Sequence, residues 1–109
     1  MRKRRNLNEY RVKLERVSKG ERAVPLDGPE NLGKRTKFGG EPDWIQGEDT
    51  PECPECGEAM YFVAQIDSFE SEVMDDPPKH IDFTFSDAGM IYVFYCFDCL
   101  NVQSLQQFY

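Results

Sequence analysis

Met90-Ile91-Tyr92-Val93-Phe94-Tyr95-Cys96-Phe97-Asp98-Cys99 is the stretch that decides the fold. Residues 90–95 are apolar at every position, so a strand here is buried on both faces and belongs in the middle of a sheet. The run ends in a Cys-x-x-Cys pair. Two intervening residues let a tight turn aim both sulfurs at one point while backbone N–H groups face them. A second pair, Cys53-Pro54-Glu55-Cys56-Gly57, precedes it with 39 residues between Cys56 and Cys96. Cys53, Cys56, Cys96 and Cys99 together supply four thiolates, the number that a closed tetrahedral structural zinc site requires. Gly57 gives the first turn its conformational freedom. Leu100 holds the equivalent place in the second, so the sequence predicts that the freedom there comes from Asn101 or from a different turn.

A 39-residue separation makes one bound ion a long-range clamp, which in a small domain contributes a large share of the folding free energy. Iron in a rubredoxin-like site shares the Cys-Pro-x-Cys-Gly turn. Free buried thiols, two disulfides and a redox-active pair are the remaining readings. The redox reading is disfavoured because such sites use one pair near a βαβ unit, and this chain has neither that unit nor a lone pair. Catalytic zinc is disfavoured because four thiolates leave no position for water.

Working outward, residues 60–67 alternate as a strand with Tyr61, Val63 and Gln65 on one face and Phe62, Ala64 and Ile66 on the other. Residues 68–79 form a polar, acidic loop. Ile81, Phe83 and Phe85 alternate with Asp82, Thr84 and Ser86 as a strand with one wet face, and Asp87-Ala88-Gly89 is a turn. Val102, Leu105 and Phe108 lead a peripheral last strand. Upstream, Trp44 follows the Gly39-Gly40-Glu41-Pro42 turn and plugs the core, with Ile45 and Gln46 opening a short strand. Residues 18–40 are a turn-rich connector. Tyr10, Val12 and Leu14 alternate with Arg11, Lys13 and Glu15, which favours a strand there. The expected fold is mainly β: a small antiparallel domain over residues 9–109 with little helix, clamped by a zinc-ribbon-like four-cysteine site and preceded by a basic tail over residues 1–8.

The 109 residues are one domain's worth of chain, with a net charge of −7. That average conceals a division. Residues 1–37 hold twelve of the thirteen Lys and Arg against five acids, and residues 38–109 hold one base against fifteen acids. A basic arm is joined to an acidic body. No stretch approaches a membrane span, the longest apolar run being the eight residues 90–97. The basic start lacks the apolar core of a signal peptide, which argues for a reducing, cytoplasmic setting in which cysteines serve as metal ligands. His80 is the single histidine and reads as a loop-end surface residue. The acids of residues 70–82 lack the alternation of a calcium loop. No P-loop, dinucleotide fingerprint or nucleophile elbow is present, and no catalytic residue emerges.

The order Val24-Pro25-Leu26-Asp27-Gly28-Pro29, Phe38-Gly39-Gly40-Glu41-Pro42-Asp43-Trp44-Ile45-Gln46, Cys53-Pro54-Glu55-Cys56, residues 60–68 and Gly89-Met90-Ile91-Tyr92-Val93-Phe94 resembles the YwqG-like family of bacterial proteins of unknown function. The chain looks like a short, cysteine-bearing branch of it. The Gly-Gly-x-Pro-x-Trp turn followed by Cys-x-x-Cys is also similar to the programmed cell death protein 2 family, whose members are chaperones for a ribosomal protein. These resemblances imply a β-rich cytoplasmic fold with no established catalytic activity. The expectation is a non-enzymatic, zinc-stabilised domain that binds a basic protein through its acidic body, in a chaperone-like or immunity-like role. A nucleic-acid binder using Arg2 to Arg5 and a Cys-x-x-Cys redox protein are the alternatives.

Overall fold

A computed structural model describes residues 7, 9–25, 33–68, 85 and 89–108. Its frame is one antiparallel sheet in the order β1-β2-β3-β4, formed by Lys37–Phe38, Tyr61–Asp67, Gly89–Cys96 and Asn101–Phe108. The described residues include no helix, and so none long and apolar enough to cross a membrane. The small, mainly β architecture anticipated from the apolar run at residues 90–95 is therefore present. That run is the inner strand β3, with Met90, Tyr92, Phe94 and Cys96 fully buried and Ile91, Val93 and Tyr95 half-buried on the opposite face.

The core lies on the Tyr92 and Phe94 side of the sheet. Trp44 covers it, its ring 4.8 Å from that of Tyr92 and stacked 5.9 Å from that of Phe94, while Phe62 meets Phe94 edge-on at 5.7 Å. The Tyr92 hydroxyl donates to the Asp43 carbonyl at 2.8 Å, fixing the turn that delivers the indole. Trp44 thus plugs the core as its position after the Gly39-Gly40 turn implied. Gly39 and Gly40 have φ of 72° and 73°, a backbone that a side chain would strain.

Several expectations are corrected. In β2 the pairing shifts between Phe62 and Ala64, and this bulge moves Gln65 and Asp67 onto the core face with Phe62. Simple alternation had placed Gln65 with Tyr61. Ile45 and Gln46 open no strand. Their N–H groups both donate to Gln107 Oε1 at 2.9 Å, while Gln107 Nε2 donates to the Gly47 carbonyl at 2.8 Å. One amide side chain thus replaces the hydrogen bonds a sheet would have given. On β4 the strand period makes Val102, Ser104, Gln106 and Phe108 the exposed set and buries Gln107, so residues 102, 105 and 108 do not share a face.

The segment holding Tyr10, Val12 and Leu14 is in no strand, and Val12 and Leu14 are 66% and 77% exposed. Alternation supplies a sheet face only when a neighbouring strand accepts the ladder, and β1 offers just two residues, both paired to β2. The connector over residues 18–40 also contains β1 and the buried Arg35, neither of which its turn-rich composition implied. Residues 1–6 and 8 of the tail, His80, the acidic loop beyond Ser68, residues 81–84 and 86 of the strand expected before Gly89 and residues 87–88 of the expected turn lie outside the described residues; Phe85 is described and is not in a strand.

Gln107→Ala is expected to cost about 2–3 kcal/mol, because it orphans two N–H groups and a carbonyl in a partly buried loop. Urea denaturation beside Gln106→Ala checks this. The exposed neighbour should lie within about 0.5 kcal/mol of the parent.

Candidate metal centre

Two turns carry the cysteines. The first closes a local hairpin in which Glu52 bridges Ala59, the Cys53 N–H donates to the Glu58 carbonyl at 2.8 Å and the Met60 N–H to the Pro51 carbonyl at 3.0 Å. The second, residues 97–100, joins β3 to β4. The two are built alike: the Gly57 N–H donates to the Cys53 carbonyl and the Leu100 N–H to the Cys96 carbonyl, both at 2.8 Å. Gly57 has φ of 77° and Leu100 φ of 62°. Leu100 itself thus adopts the left-handed backbone, and the role passes neither to Asn101 nor to a different turn, the alternatives the sequence predicts. A leucine there costs about 1–2 kcal/mol of local strain, held by the surrounding turn.

The turns bring Cys53, Cys56, Cys96 and Cys99 together, with all four sulfurs within 4.8 Å of one another. All four are free thiols. The Cys56 and Cys96 sulfurs are 3.8 Å apart. A tetrahedron with metal–sulfur bonds of about 2.3 Å has edges of about 3.8 Å, so this spacing suits a common ion. The 39-residue interval is spanned by β2 and β3, whose antiparallel pairing sets Tyr61 opposite Tyr95 and so returns Cys96 to the first turn. Cys53 and Cys96 are also members of the buried cluster with Met60, Met90, Tyr92 and Phe94, and Cys99 packs against it. The sulfur group is the end of the core.

The thiols are differentiated. N–H donation from Cys56, with help from the Asn101 amide 3.4 Å from the sulfur, brings Cys53 down from an ordinary 9.0 to about 6. Burial first, and then the neighbouring sulfurs, push Cys99 strongly up. Hydrogen bonding thus favours the thiolate form of Cys53, and burial favours the thiol form of Cys99. That arrangement suits binding of a metal ion, which displaces the remaining protons.

Asn101 was not marked by the sequence as a partner of the sulfurs. Its signal was the strand start directly after Cys99 and Leu100. Asn101→Ala is expected to weaken metal binding at least roughly tenfold. The pH at which acid releases the ion should also rise, because the amide helps hold Cys53 low and its loss lets protons compete sooner. A chromophoric chelator read across pH measures both.

Fold and centre together define a small antiparallel β domain whose four cysteines could hold a metal ion. No family model and no solved structure matches the chain. It is 33% identical over 96 residues, 86% of its length, to the uncharacterized protein YpfL of Salmonella typhimurium. The chain spans about a fifth of that relative's length, 20%. The similarity ties the chain to a bacterial protein of unknown function and reaches no further.

Proposed function

We propose that the chain is a non-enzymatic, zinc-binding β domain of YwqG-like type that acts in the cytoplasm by binding a basic protein, in the manner of a dedicated chaperone or an immunity protein. The observation that carries this reading is the convergence of four sulfurs within 4.8 Å, a donor set that fills a tetrahedral ion and leaves no place for substrate or water. Thiolates in this number and geometry favour zinc over harder cations, and the ion's contribution is structural. The like construction of the two cysteine turns supports that.

Glu52, Glu55, Glu58 and Asp98 are exposed around the turns, and no lysine or arginine lies within residues 38–78 or 80–109. A rim of one sign on a compact body steers an oppositely charged partner and sets which partner is accepted. The basic arm binding a nucleic acid is the competing outcome.

Elemental analysis of the purified chain should find one zinc per chain, and iron or bare reactive thiols would refute the metal assignment. Affinity purification from bacterial extract at low salt should retain a basic protein, lost when Glu52, Glu55 and Glu58 become Gln and Asp98 becomes Asn. Equal retention by that variant, or nucleic acid as the only material recovered, refutes the protein-binding reading.

A further inference from the structure

The last strand is an edge strand without the usual protections. Natural edges are blunted by charge, proline, a bulge or brevity. β4 has eight residues, pairs with β3 without interruption from Gly89↔Phe108 to Cys96↔Asn101, and contains no charged residue and no proline. Among the described residues, its far edge meets a hydrogen-bond partner only at Phe108. The Phe108 N–H donates to Gln46 Oε1 at 3.1 Å, so it points away from β3, and the antiparallel alternation turns the N–H and C=O groups of Gln106, Ser104 and Val102 the same way. At the opposite end the Leu100 N–H is taken by the Cys96 carbonyl. Among the described residues the outward groups of residues 102, 104 and 106 have no hydrogen-bond partner. The open stretch is centred on Ser104.

We infer that β4 pairs antiparallel with β4 of a second copy about a twofold axis through Ser104, giving a continuous eight-stranded sheet. Ser104 then faces itself, and Val102 faces Gln106 of the second copy at each end, forming about six new backbone hydrogen bonds. On the other face Gln103 meets Leu105. Every facing pair is neutral. This selects the occupant. Two copies of a chain of charge −7 repel wherever their acids approach, and β4 is a strand along which they pair without opposing like charges. A basic foreign strand would find no carboxylate on β4 to answer its charges. The pairing also sets Val102, 64% exposed, diagonally against Phe108 of the second copy, 42% exposed, and so covers apolar surface at both ends of the seam.

Sedimentation equilibrium of the full chain from micromolar to millimolar concentration should give twice its mass of 12.7 kDa. Ser104→Pro removes two N–H groups at the axis while leaving the β3 ladder intact, since proline is tolerated where its nitrogen faces away from the sheet. It should weaken association at least roughly tenfold, with its circular dichroism unchanged. Should that variant misfold, Ser104→Lys sets like charges opposite each other and should act in the same direction. Mild oxidation should cross-link Ser104→Cys far more readily than Val102→Cys, whose counterpart lies about 13 Å along the partner strand. A monomer at every concentration, association unchanged by both position-104 variants, or equal cross-linking of the two cysteine variants would overturn the inference. So would protection of the edge only on addition of a foreign extended peptide.

Discussion

Cys53→Ser is expected to lose the bound ion and, with it, the folded state. Cys53 is a fully buried sulfur within 4.8 Å of the other three, so the variant leaves a three-thiolate site with a hydroxyl where the most acidic thiol stood. An ion held by all four sulfurs would close the chain between residues 53 and 99. Tying ends that far apart removes about 4 kcal/mol of chain entropy from the unfolded state, by the same arithmetic that applies to a covalent cross-link. Domains of this size hold only about 5–15 kcal/mol in total. Metal coordination adds its own binding energy on top, which is why small metal-clamped domains are commonly unfolded without their ion. Elemental analysis and a thermal melt check the expectation together. A variant that keeps one ion per chain and melts with the parent would show that the four sulfurs do not act as one clamp.

Phe94→Ala should produce the next largest effect, about 3–5 kcal/mol. Phe94 is 0% exposed and is touched from both sides, by the Trp44 indole at 5.9 Å and the Phe62 ring at 5.7 Å. Its removal opens a cavity between two rings that are held from elsewhere: Trp44 by the Asp43 turn and Phe62 by the β2 ladder. The gap cannot close. In a chain of this length the melting temperature should fall by more than about 12 °C. Tyr95→Ala is the control, because that ring lies half-buried on the opposite face against Phe97 at 4.8 Å and should cost about 1 kcal/mol. Equal losses at the two positions would mean that the sheet's two faces are equally packed.

The four ligand candidates and the inner strand could be read directly from the chain because both depend on local pattern. Both cysteine pairs, two residues apart, close turns here, and the apolar run that ends in one is the buried strand β3. Trp44 was legible for a similar reason, since the Gly39-Gly40 turn dictates where the next large side chain goes. Gln65, Asp67 and Gln107 were not. Each is a polar residue buried because a distant loop brings backbone groups to it: Gln65 Oε1 accepts from the Asp43 N–H at 2.9 Å, and Asp67 Oδ2 accepts from the Gly33 N–H at 2.6 Å. Such partners lie 22 and 34 residues away, and no periodicity encodes them. The bulge after Phe62 was hidden too, because the alternation through it looks regular until the pairing strand is in place. Leu100 misled in the opposite sense. Its side chain argues against the left-handed region, yet Leu100 closes the turn there, its N–H donating to the Cys96 carbonyl.

The two cysteine turns differ in how they are made. One closes a hairpin of about eight residues, and the other is the connection between β3 and β4, so each forms from nearby chain with little loop to close. During synthesis Cys56 emerges with 39 residues still to come before Cys96. Until then it is a half-site of two sulfurs, which grips an ion far less firmly than four and leaves it open to exchange. Four-sulfur capture would require the β3–β4 connection, with β3 docked on β2. An ion held by all four sulfurs would thus report that β3 has docked on β2, since a chain with those strands mispaired presents two separate thiol pairs in place of one four-sulfur group.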